Sequence, residues 1–390
     1  MLLILAFVAM PATVSLAQNS GYLLINNNDV KANSVDIDTV SATGALHRLA
    51  TLATGGFGGN NQFGTSYNAV EKTRKCFFVS DGGSSDIASF QIPSLNKVPT
   101  NFSNPSLVGG AALAASPDGT FLYSGWPSKI AVLSINSDCS LTLVGDPIPQ
   151  LDEISSLTVT SDGKVLVVAY PNLGGAQAYS INETNGTLTA LGPQLLFANE
   201  IAECRSFDCW PAGQDVTTDG KFWVWGNQGL EGPLSSLSAT LGPNGFSDAA
   251  IQEYTDSPLA NVENVWFSPA GRAGKGNLYL SGSAVTGRFA GIIVATFNAG
   301  TITYAGTTTN DAAFYAGNVQ TIGDSGTGSP ITIVWSSFTP VQSSLKGTAT
   351  NIFTNTVQSY TVSGTTLEPS SSLNTTSTEN DSLSTAGVGK

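Results

Sequence analysis

Charged residues are scarce in this sequence, and positively charged residues are the scarcer kind. Only 11% of the 390 residues are charged, and 28 Asp and Glu outnumber 15 Lys and Arg, so that the formal net charge is −13. A protein that binds nucleic acid needs clustered Lys and Arg to neutralise phosphates. The composition therefore argues against a nucleic-acid partner, and we interpret the acidity as a feature that favours solubility.

Several catalytic signatures are also missing. The sequence has one histidine, His47, no Gly-x-Ser-x-Gly motif and no Cys-x-x-Cys pair. A Ser-His-Asp triad would have to use His47, and a zinc site lacks ligands. Helical periodicity of any length is absent, which argues against an α/β fold. No segment beyond the N-terminus is apolar enough to cross a membrane.

The N-terminal segment MLLILAFVAMPATVSLAQNS is strongly apolar. It ends with small residues at Ser15 and Ala17, a pattern typical of a cleaved secretion signal. A buried first strand is the alternative interpretation. We predict a signal peptide over residues 1–17 and a secreted or otherwise extracytoplasmic protein.

Glycine, with 42 residues, and turn signals are abundant. The segments AALAASPDGTFLYSG, SSLTVTSDGKVLVVAY and GQDVTTDGKFWVWG each contain a short apolar strand, an Asp-Gly turn and a second, Val-rich or aromatic strand. Asp-Gly between alternating runs is a strong signal for a hairpin whose two central residues have positive φ. The first two units continue into a third and a fourth strand, so each unit is predicted to be a four-stranded antiparallel meander.

The aspartates of the three units lie 44 and 57 residues apart. A period of roughly 40–50 residues with four strands per unit is typical of propeller blades. Weaker copies bring the number to seven, and the copy that begins at Tyr22 lacks its first strand. We predict an all-β fold, a seven-bladed β-propeller of four-stranded antiparallel blades, over residues 18–369. A Ser/Thr-rich tail follows at residues 370–390. Part of it should close the ring by pairing with Tyr22–Asn26, because unpaired sheet edges aggregate.

The SPDGTFLY and TSDGKVLVV units resemble those of the seven-bladed lactonase-type propellers. These include 6-phosphogluconolactonase-like and 3-carboxymuconate cyclase-like proteins and their YVTN-repeat relatives. The resemblance covers most of Tyr22–Pro369 and implies the propeller fold and an activity on lactones. The relatives carry a His-x-His-Ser pattern just ahead of such a turn, where this sequence has Gly109 and Ala111 in GGAALAASPDG. The family's acid–base histidines are therefore missing.

Blade geometry sorts the remaining candidates onto two faces. The connections between strands one and two, and between strands three and four, lie on one face, which we call the turn face. The other connections lie on the loop face, where we expect ligands at the channel mouth. Asp118, Asp162 and Asp219 are then turn formers. His47 falls in the outermost strand of the first blade, far from the channel, and is expected to be a surface residue.

The four cysteines form an even set, which favours two disulfides in an exported chain. Cys76 begins the second strand of blade 2, and Cys139 lies in the last turn of blade 3, so both fall on the turn face of adjacent blades. We predict a Cys76–Cys139 disulfide and a local Cys204–Cys209 disulfide.

The loop Gly192–Gly213 is long for a connection between blades and is rich in charge. We interpret it as either a stapled insertion or a lid over the channel entrance. If the loop is a lid, Arg205 would bind a carboxylate or lactone oxygen of the ligand, and Trp210 would form an apolar surface beneath it. Glu203 or Asp208 would then be the base if chemistry occurs.

Other loop-face residues also have ligand-binding chemistry. Aromatic, amide and guanidinium side chains suit a small molecule or a protein partner, and the candidates are Trp126, Tyr170, Asn172, Asn227 and Arg288. Calcium is the one cofactor that these loops could hold, because it needs only oxygen ligands. The candidate ligands are Asp29 in NNND and Asp81 and Asp86 in SDGGSSD, although solvated loops have the same composition.

Two main functions remain open at this point. The first is an exported, monomeric propeller that binds a small molecule or a protein at the channel mouth without catalysis. The alternative is a lactonase- or cyclase-type enzyme for a small lactone or sugar acid, with or without calcium. The tail also allows a purely structural cell-surface protein. Buried carboxylates around the channel would favour the enzyme, and a wide apolar mouth would favour a protein binder.

Overall fold

The computed structural model describes most of the chain, and its regular secondary structure is almost entirely β-strand. The described residues are 19–41, 43–59, 70–205, 209–229, 234–259, 261–283, 290–310, 315–322, 332–345, 348–375 and 384–389. The proposed signal peptide, residues 1–17, lies outside this set. No helix in these ranges is both long and apolar enough to span a membrane.

The strands form seven antiparallel sheets, which we number as blades in chain order. Blade 1 contains β1 (Asn19–Asn26), β2 (Ser34–Ser41), β3 (Leu46–Ala53) and β30 (Ser384–Gly389). Blade 2 contains β4 (Val70–Lys72), β5 (Cys76–Asp81), β6 (Asp86–Gln91) and β7 (Phe102–Ser103). Blade 3 contains β8 (Ala112–Ala115), β9 (Phe121–Trp126), β10 (Lys129–Ile135), β11 (Leu141–Leu143) and the short β12 (Ile148–Pro149). Blade 4 contains β13 (Ser156–Val159), β14 (Val165–Tyr170), β15 (Gly175–Ile181), β16 (Leu188–Ala190) and the short β17 (Leu195–Leu196).

The last three blades follow the same meander order. Blade 5 contains β18 (Pro211–Val216), β19 (Phe222–Asn227), β20 (Ser235–Gly242) and β21 (Gly245–Glu253). Blade 6 contains β22 (Asn261–Phe267), β23 (Lys275–Ser283), β24 (Ala290–Asn298) and β25 (Thr301–Asn310). Blade 7 contains β26 (Tyr315–Ile322), β27 (Thr332–Leu345), β28 (Thr348–Ser363) and β29 (Thr366–Asn374). Two short α-helices, α1 (Phe197–Glu200) and α2 (Pro269–Arg272), and a single 3-10 turn at Glu203–Arg205 lie in connections between the described strands.

The blades form a closed ring around their inner strands. Contacts join β4 to β8, β8 to β13, β13 to β18, β18 to β22, β22 to β26, β26 to β30 and β30 back to β4. Blades 2 to 7 consist of consecutive strands, whereas blade 1 combines both ends of the chain. Its inner strand, β30, pairs with β1 from Gly21–Gly389 to Asn26–Ser384. A segment beyond Pro369 therefore supplies the missing inner strand, as the sequence predicted.

The core lies between neighbouring blades rather than inside any one of them. Strands two and three of a blade are covered on both sides, so β5 is buried at every position. Between blades 4 and 5, Trp223 and Trp225 pack with Val167 and Leu237. Burial of such large side chains is the main source of stability in a ring of this kind.

The Asp-Gly units form turns, but not the two-residue hairpins that the sequence suggested. Only the glycine of each unit, for example Gly119 with φ of 74°, adopts a positive φ. The Ser116 N–H donates to the carbonyl of Phe121, which leaves four residues in the loop. Asp118 accepts hydrogen bonds from the Ser116 hydroxyl at 2.6 Å and the Thr120 N–H at 3.0 Å. The aspartates are turn formers, as predicted, but they act through their side chains.

Both predicted disulfides are present. Cys76–Cys139 joins blades 2 and 3, with a sequence separation of 63 residues, and Cys204–Cys209 closes a local ring. The described residues contain no free cysteine.

Candidate active site

A cavity of about 180 Å³ lies in the central channel, near the turn face. We call it the channel cavity. Five inner strands contribute the same repeat position to its wall, namely the residue two places before the Ser or Thr that begins the turn to strand two. The five residues are Glu71, Ala114, Thr158, Asp215 and Trp266.

A single hydrogen-bond arrangement fixes this position in each of the five blades. The hydroxyl of the Ser or Thr that begins the turn accepts a backbone N–H from strand two. The pairs are Thr73 with Cys76, Ser116 with Phe121, Thr160 with Val165, Thr217 with Phe222 and Ser268 with Asn277, at 2.9–3.1 Å. Because side chains alternate along a strand, the residue two places earlier occupies an equivalent place in every blade.

Glu71 is the titratable residue of the cavity with the most perturbed pKa. Its side chain is only partly exposed, and its exposed part faces the channel cavity. Burial raises its pKa to about 7, although the Lys72 N–H and the Lys72 charge act in the opposite direction. A carboxyl group in this state exchanges a proton near neutral pH, as a general acid or base must.

Asp215, which is buried, and Arg272, whose side chain is 33% exposed, form an ion pair in the same cavity. Nη2 of Arg272 lies 2.6 Å from both carboxylate oxygens, and the backbone N–H groups of Val216 and Phe267 donate to Asp215 at 2.8 Å. The Arg272 guanidinium also lies 5.1 Å from the centre of the Trp266 ring. This pair uses one guanidinium nitrogen, so Nη1 and Nε of Arg272 can donate to an oxygen atom in the cavity.

The channel cavity adjoins a larger space on the turn face. A cleft of about 830 Å³ between blades 5 and 6 shares Thr217, Thr218 and Arg272 with the cavity wall. Its floor includes Phe222 and Phe297. A small ligand could therefore reach Arg272 from the turn face.

The loop Gly192–Gly213 packs against the body of the propeller in its described part. Phe197, Cys204 and Cys209 are buried in the core between blades 4 and 5, and α1 contacts the outer strand β21. The Arg205 guanidinium donates to the carbonyls of Ala198 at 2.9 Å and Asn199 at 3.1 Å, within its own loop. These contacts are those of a stapled insertion, and a role over the channel remains a prediction.

The other residues of that loop are spread out. Glu203 is exposed, and Trp210 is partly buried, with its backbone N–H bonded to Asn227 at 2.9 Å. Asp208 lies outside the described residues. None of the described candidates from this loop lines the channel cavity.

The remaining ligand-binding candidates are mostly structural in their contacts. Trp126 is buried and donates to the Ser124 hydroxyl, and Tyr170 is buried and donates to Gln150. Asn227 is 3% exposed and bonds to Ser235. Asn172 is exposed and donates to Asp152 at 3.1 Å. Arg288 lies outside the described residues. For the other four residues, ligand binding remains a prediction.

Two of the three calcium candidates lie side by side on the loop face. Asp81 ends β5 and Asp86 begins β6, and the two are register partners. Asp81 accepts hydrogen bonds from Asn33 at 2.6 Å and Thr54 at 2.8 Å, while Asn101 donates to Asp86 at 2.5 Å. Asp29 lies in the neighbouring loop of blade 1. In the part of the chain that the structure describes, no three acidic, Cys or His side chains converge as metal ligands.

His47 is a surface residue on an outermost strand, as predicted. Gly109 and Ala111, which stand where the lactonase-type propellers carry histidines, contribute through their backbone. His47 is exposed on the outer strand β3. The N–H groups of Gly109 and Ala111 donate to the hydroxyls of Ser85 and Ser80 at 2.9 and 2.8 Å. These positions supply backbone contacts and no acid–base group.

The comparisons with known proteins give the fold class. No protein-family model and no curated protein matches the sequence. A functionally unknown protein from Desulfotomaculum acetoxidans is 13% identical, with a TM-score of 0.62 over 95% of this chain and 99% of that one. A candidate 6-phosphogluconolactonase from Bacteroides fragilis is 15% identical, with a TM-score of 0.59 over 94% and 100%. The periplasmic gluconolactonase of Pseudomonas aeruginosa is 14% identical, with a TM-score of 0.58 over 76% and 84%.

These likenesses show that the chain has the fold of the lactonase-type β-propellers. The resemblance inferred from the SPDGTFLY and TSDGKVLVV units is thereby confirmed as a resemblance of fold.

Proposed function

We propose that the protein hydrolyses a small, uncharged lactone in the channel cavity. The observation that carries this proposal is the presence in one cavity of a carboxyl group with a pKa near 7, Glu71, and a guanidinium group held by a buried carboxylate, Arg272. The lactonase-like structural neighbours support the enzyme over a pure binding module.

The chemistry needs a base and a donor to the carbonyl oxygen. Ionised Glu71 takes a proton from water as the water oxygen attacks the lactone carbonyl. An N–H of Arg272 donates to the carbonyl oxygen as negative charge develops there. When the ring C–O bond breaks, the proton on Glu71 passes to the leaving oxygen. The product is the ring-opened hydroxy acid, and Trp266 provides a flat wall for the sugar ring.

The charges of the cavity favour an uncharged substrate. Arg272 is the one cationic residue among the described residues that line it, and Asp215 already neutralises that charge. Ionised Glu71 would repel a phosphate group. The periplasmic gluconolactonase among the neighbours is consistent with this choice. That neighbour and the two disulfides also support an extracytoplasmic location, in agreement with the signal peptide predicted from the apolar N-terminal segment.

The test compares two candidate bases by the same substitution. We expect the wild-type protein to accelerate proton release from D-glucono-δ-lactone, measured with a pH indicator against the spontaneous rate. The rate should rise as the pH passes through about 7, because Glu71 must be ionised. Glu71→Gln should lower kcat by roughly 100-fold or more, while Glu203→Gln, the matched control in the loop, should leave it unchanged.

Three outcomes would overturn the proposal. They are no acceleration by the wild-type protein, full activity in Glu71→Gln, or loss of activity in Glu203→Gln alone. A clear preference for 6-phosphogluconolactone over gluconolactone would refute the inference about substrate charge.

A further inference from the structure

A second cavity, of about 270 Å³, lies on the turn face between blades 3 and 4 and shares no residue with the channel cavity. We call it the blade 3–4 cleft. Its floor consists of Phe121, Tyr123 and Ile181, all less than 10% exposed. Its rim carries three exposed acidic residues, which are Asp118, Asp162 and Glu183.

The Tyr123 hydroxyl is the feature of this cleft that the fold does not explain. Tyr123 is 0% exposed, and its hydroxyl has no hydrogen-bond partner. A buried polar group without a partner destabilises the folded state. The cleft is the place from which a partner can come, because Tyr123 lines it.

Two of the rim carboxylates are held in their ionised form. Burial alone would raise the pKa of Asp118, but hydrogen bonds from Ser116 and Thr120 outweigh it and lower the pKa. Burial acts in the same way on Asp162, and hydrogen bonds from Thr160 and Lys164 lower its pKa. The rim is therefore negative at neutral pH.

The shape of the acidic rim distinguishes between kinds of cation. Among the described residues no three acidic side chains converge closely enough to hold a metal ion. An alkylammonium group, in contrast, can bond to separate carboxylates, donate to a phenol oxygen and lie against aromatic faces. The cleft offers the carboxylates and an aromatic face directly, whereas the Tyr123 hydroxyl, which has no exposed surface, becomes an acceptor when the bound group displaces the side chains that cover it.

We propose that the blade 3–4 cleft binds an organic cation with a primary ammonium group, with the Tyr123 hydroxyl as an acceptor at its base and Glu183 at its rim. The same chemistry occurs in free polyamines and in lysine side chains. The site is independent of the channel cavity, so its test does not depend on lactonase activity.

The probes are spermidine and a lysine-containing tripeptide with blocked ends, titrated calorimetrically at low ionic strength. We expect Tyr123→Phe and Glu183→Gln each to weaken binding of the better probe by roughly tenfold, because each removes a hydrogen bond to a charged group. Tyr123→Phe should not lower Tm, since it removes an unpartnered hydroxyl. Glu253→Gln, an exposed position on β21, is the control for the change in net charge.

The outcomes separate a built site from general attraction to an acidic protein. Equal weakening by Glu183→Gln and Glu253→Gln would overturn the proposal, as would binding that Tyr123→Phe leaves unchanged. Tighter binding of Ca²⁺ than of either amine, with the same dependence on Glu183, would also overturn it. Preference for spermidine would indicate a free amine, and preference for the peptide would indicate a protein partner.

Discussion

Replacing Asp81 by Asn should make the protein markedly more stable at alkaline pH. Asp81 is 0% exposed, and burial raises its pKa to about 8, with the Asp86 charge acting in the same direction. Hydrogen bonds from Asn33 and Thr54 act against this shift but do not outweigh it. The folded protein therefore keeps a proton on Asp81 at pH values where the unfolded chain has lost it.

The sign and the size of the effect follow from the two pKa values. The stability that the protonated group contributes is complete below pH 4 and is lost as the pH rises to about 8. Four pKa units at ~1.4 kcal/mol each correspond to roughly 6 kcal/mol as an upper value. An Asn at position 81 stays neutral, can still accept from Asn33 and Thr54, and offers an N–H toward Asp86.

The assay is urea unfolding of wild type and Asp81→Asn at pH 5 and pH 8.5. We expect the free-energy difference between the two proteins to grow in favour of Asp81→Asn by about 4 kcal/mol between these pH values. Asp138→Asn is the control, because Asp138 is an exposed turn carboxylate bonded to Ser140. If Asp81→Asn and wild type lose stability in parallel, the protonated, buried state of Asp81 is refuted.

Three further predictions concern how the ring is held together. Deleting residues 376–390 removes β30 and exposes the inner edge of blade 1, so Tm should fall steeply; an unchanged Tm would contradict the closure. Replacing Cys76 and Cys139 together by Ser should lower the free energy of unfolding by about 4 kcal/mol in urea titrations, since the disulfide closes a long loop. If this double variant and the wild type were equally stable, that estimate would be wrong. Arg48→Met leaves the buried carboxylates of Asp36 and Asp38 without their cation and should cost about 3 kcal/mol in the same assay, whereas an unchanged urea midpoint would contradict it.

The architecture could be predicted from the sequence because its signals are local. Each Ser/Thr-x-Asp-Gly turn determines where one strand ends and the next begins, and a missing inner strand in the first unit requires a partner from elsewhere. The position of that partner, Ser384–Gly389, could not be predicted. Its sequence, STAGVG, has small residues and no alternating apolar pattern, so only the register with β1 distinguishes it from the rest of the tail.

The channel cavity was missed for a different reason. Glu71 lies in NAVEKTRKCFF, where the turn between strands one and two has no Asp-Gly pair, and Arg272 lies in the short helix that replaces the turn of blade 6. In the sequence, the charge and the length of Gly192–Gly213 point to a site in that loop instead. In the structure the charge of Arg205 is used to hold its own loop together. Charge density along the sequence is therefore a poor guide to what faces the channel.

A position in the repeat is the better guide, and it suggests how one fold can hold different chemistries. In five blades the turn begins with a hydroxyl that accepts a backbone N–H, and this contact requires Ser or Thr. At the position two residues earlier, the backbone pairs with strand two whatever the side chain is. The residues at this position in the five blades are Glu71, Ala114, Thr158, Asp215 and Trp266. Because the turn does not depend on these side chains, the wall of the channel can change without loss of the blade. In the proposed lactonase, which lacks the histidines that the lactonase-type propellers carry, the acid–base group would lie on another blade, and Glu71 is the residue with the burial and pKa that this role requires.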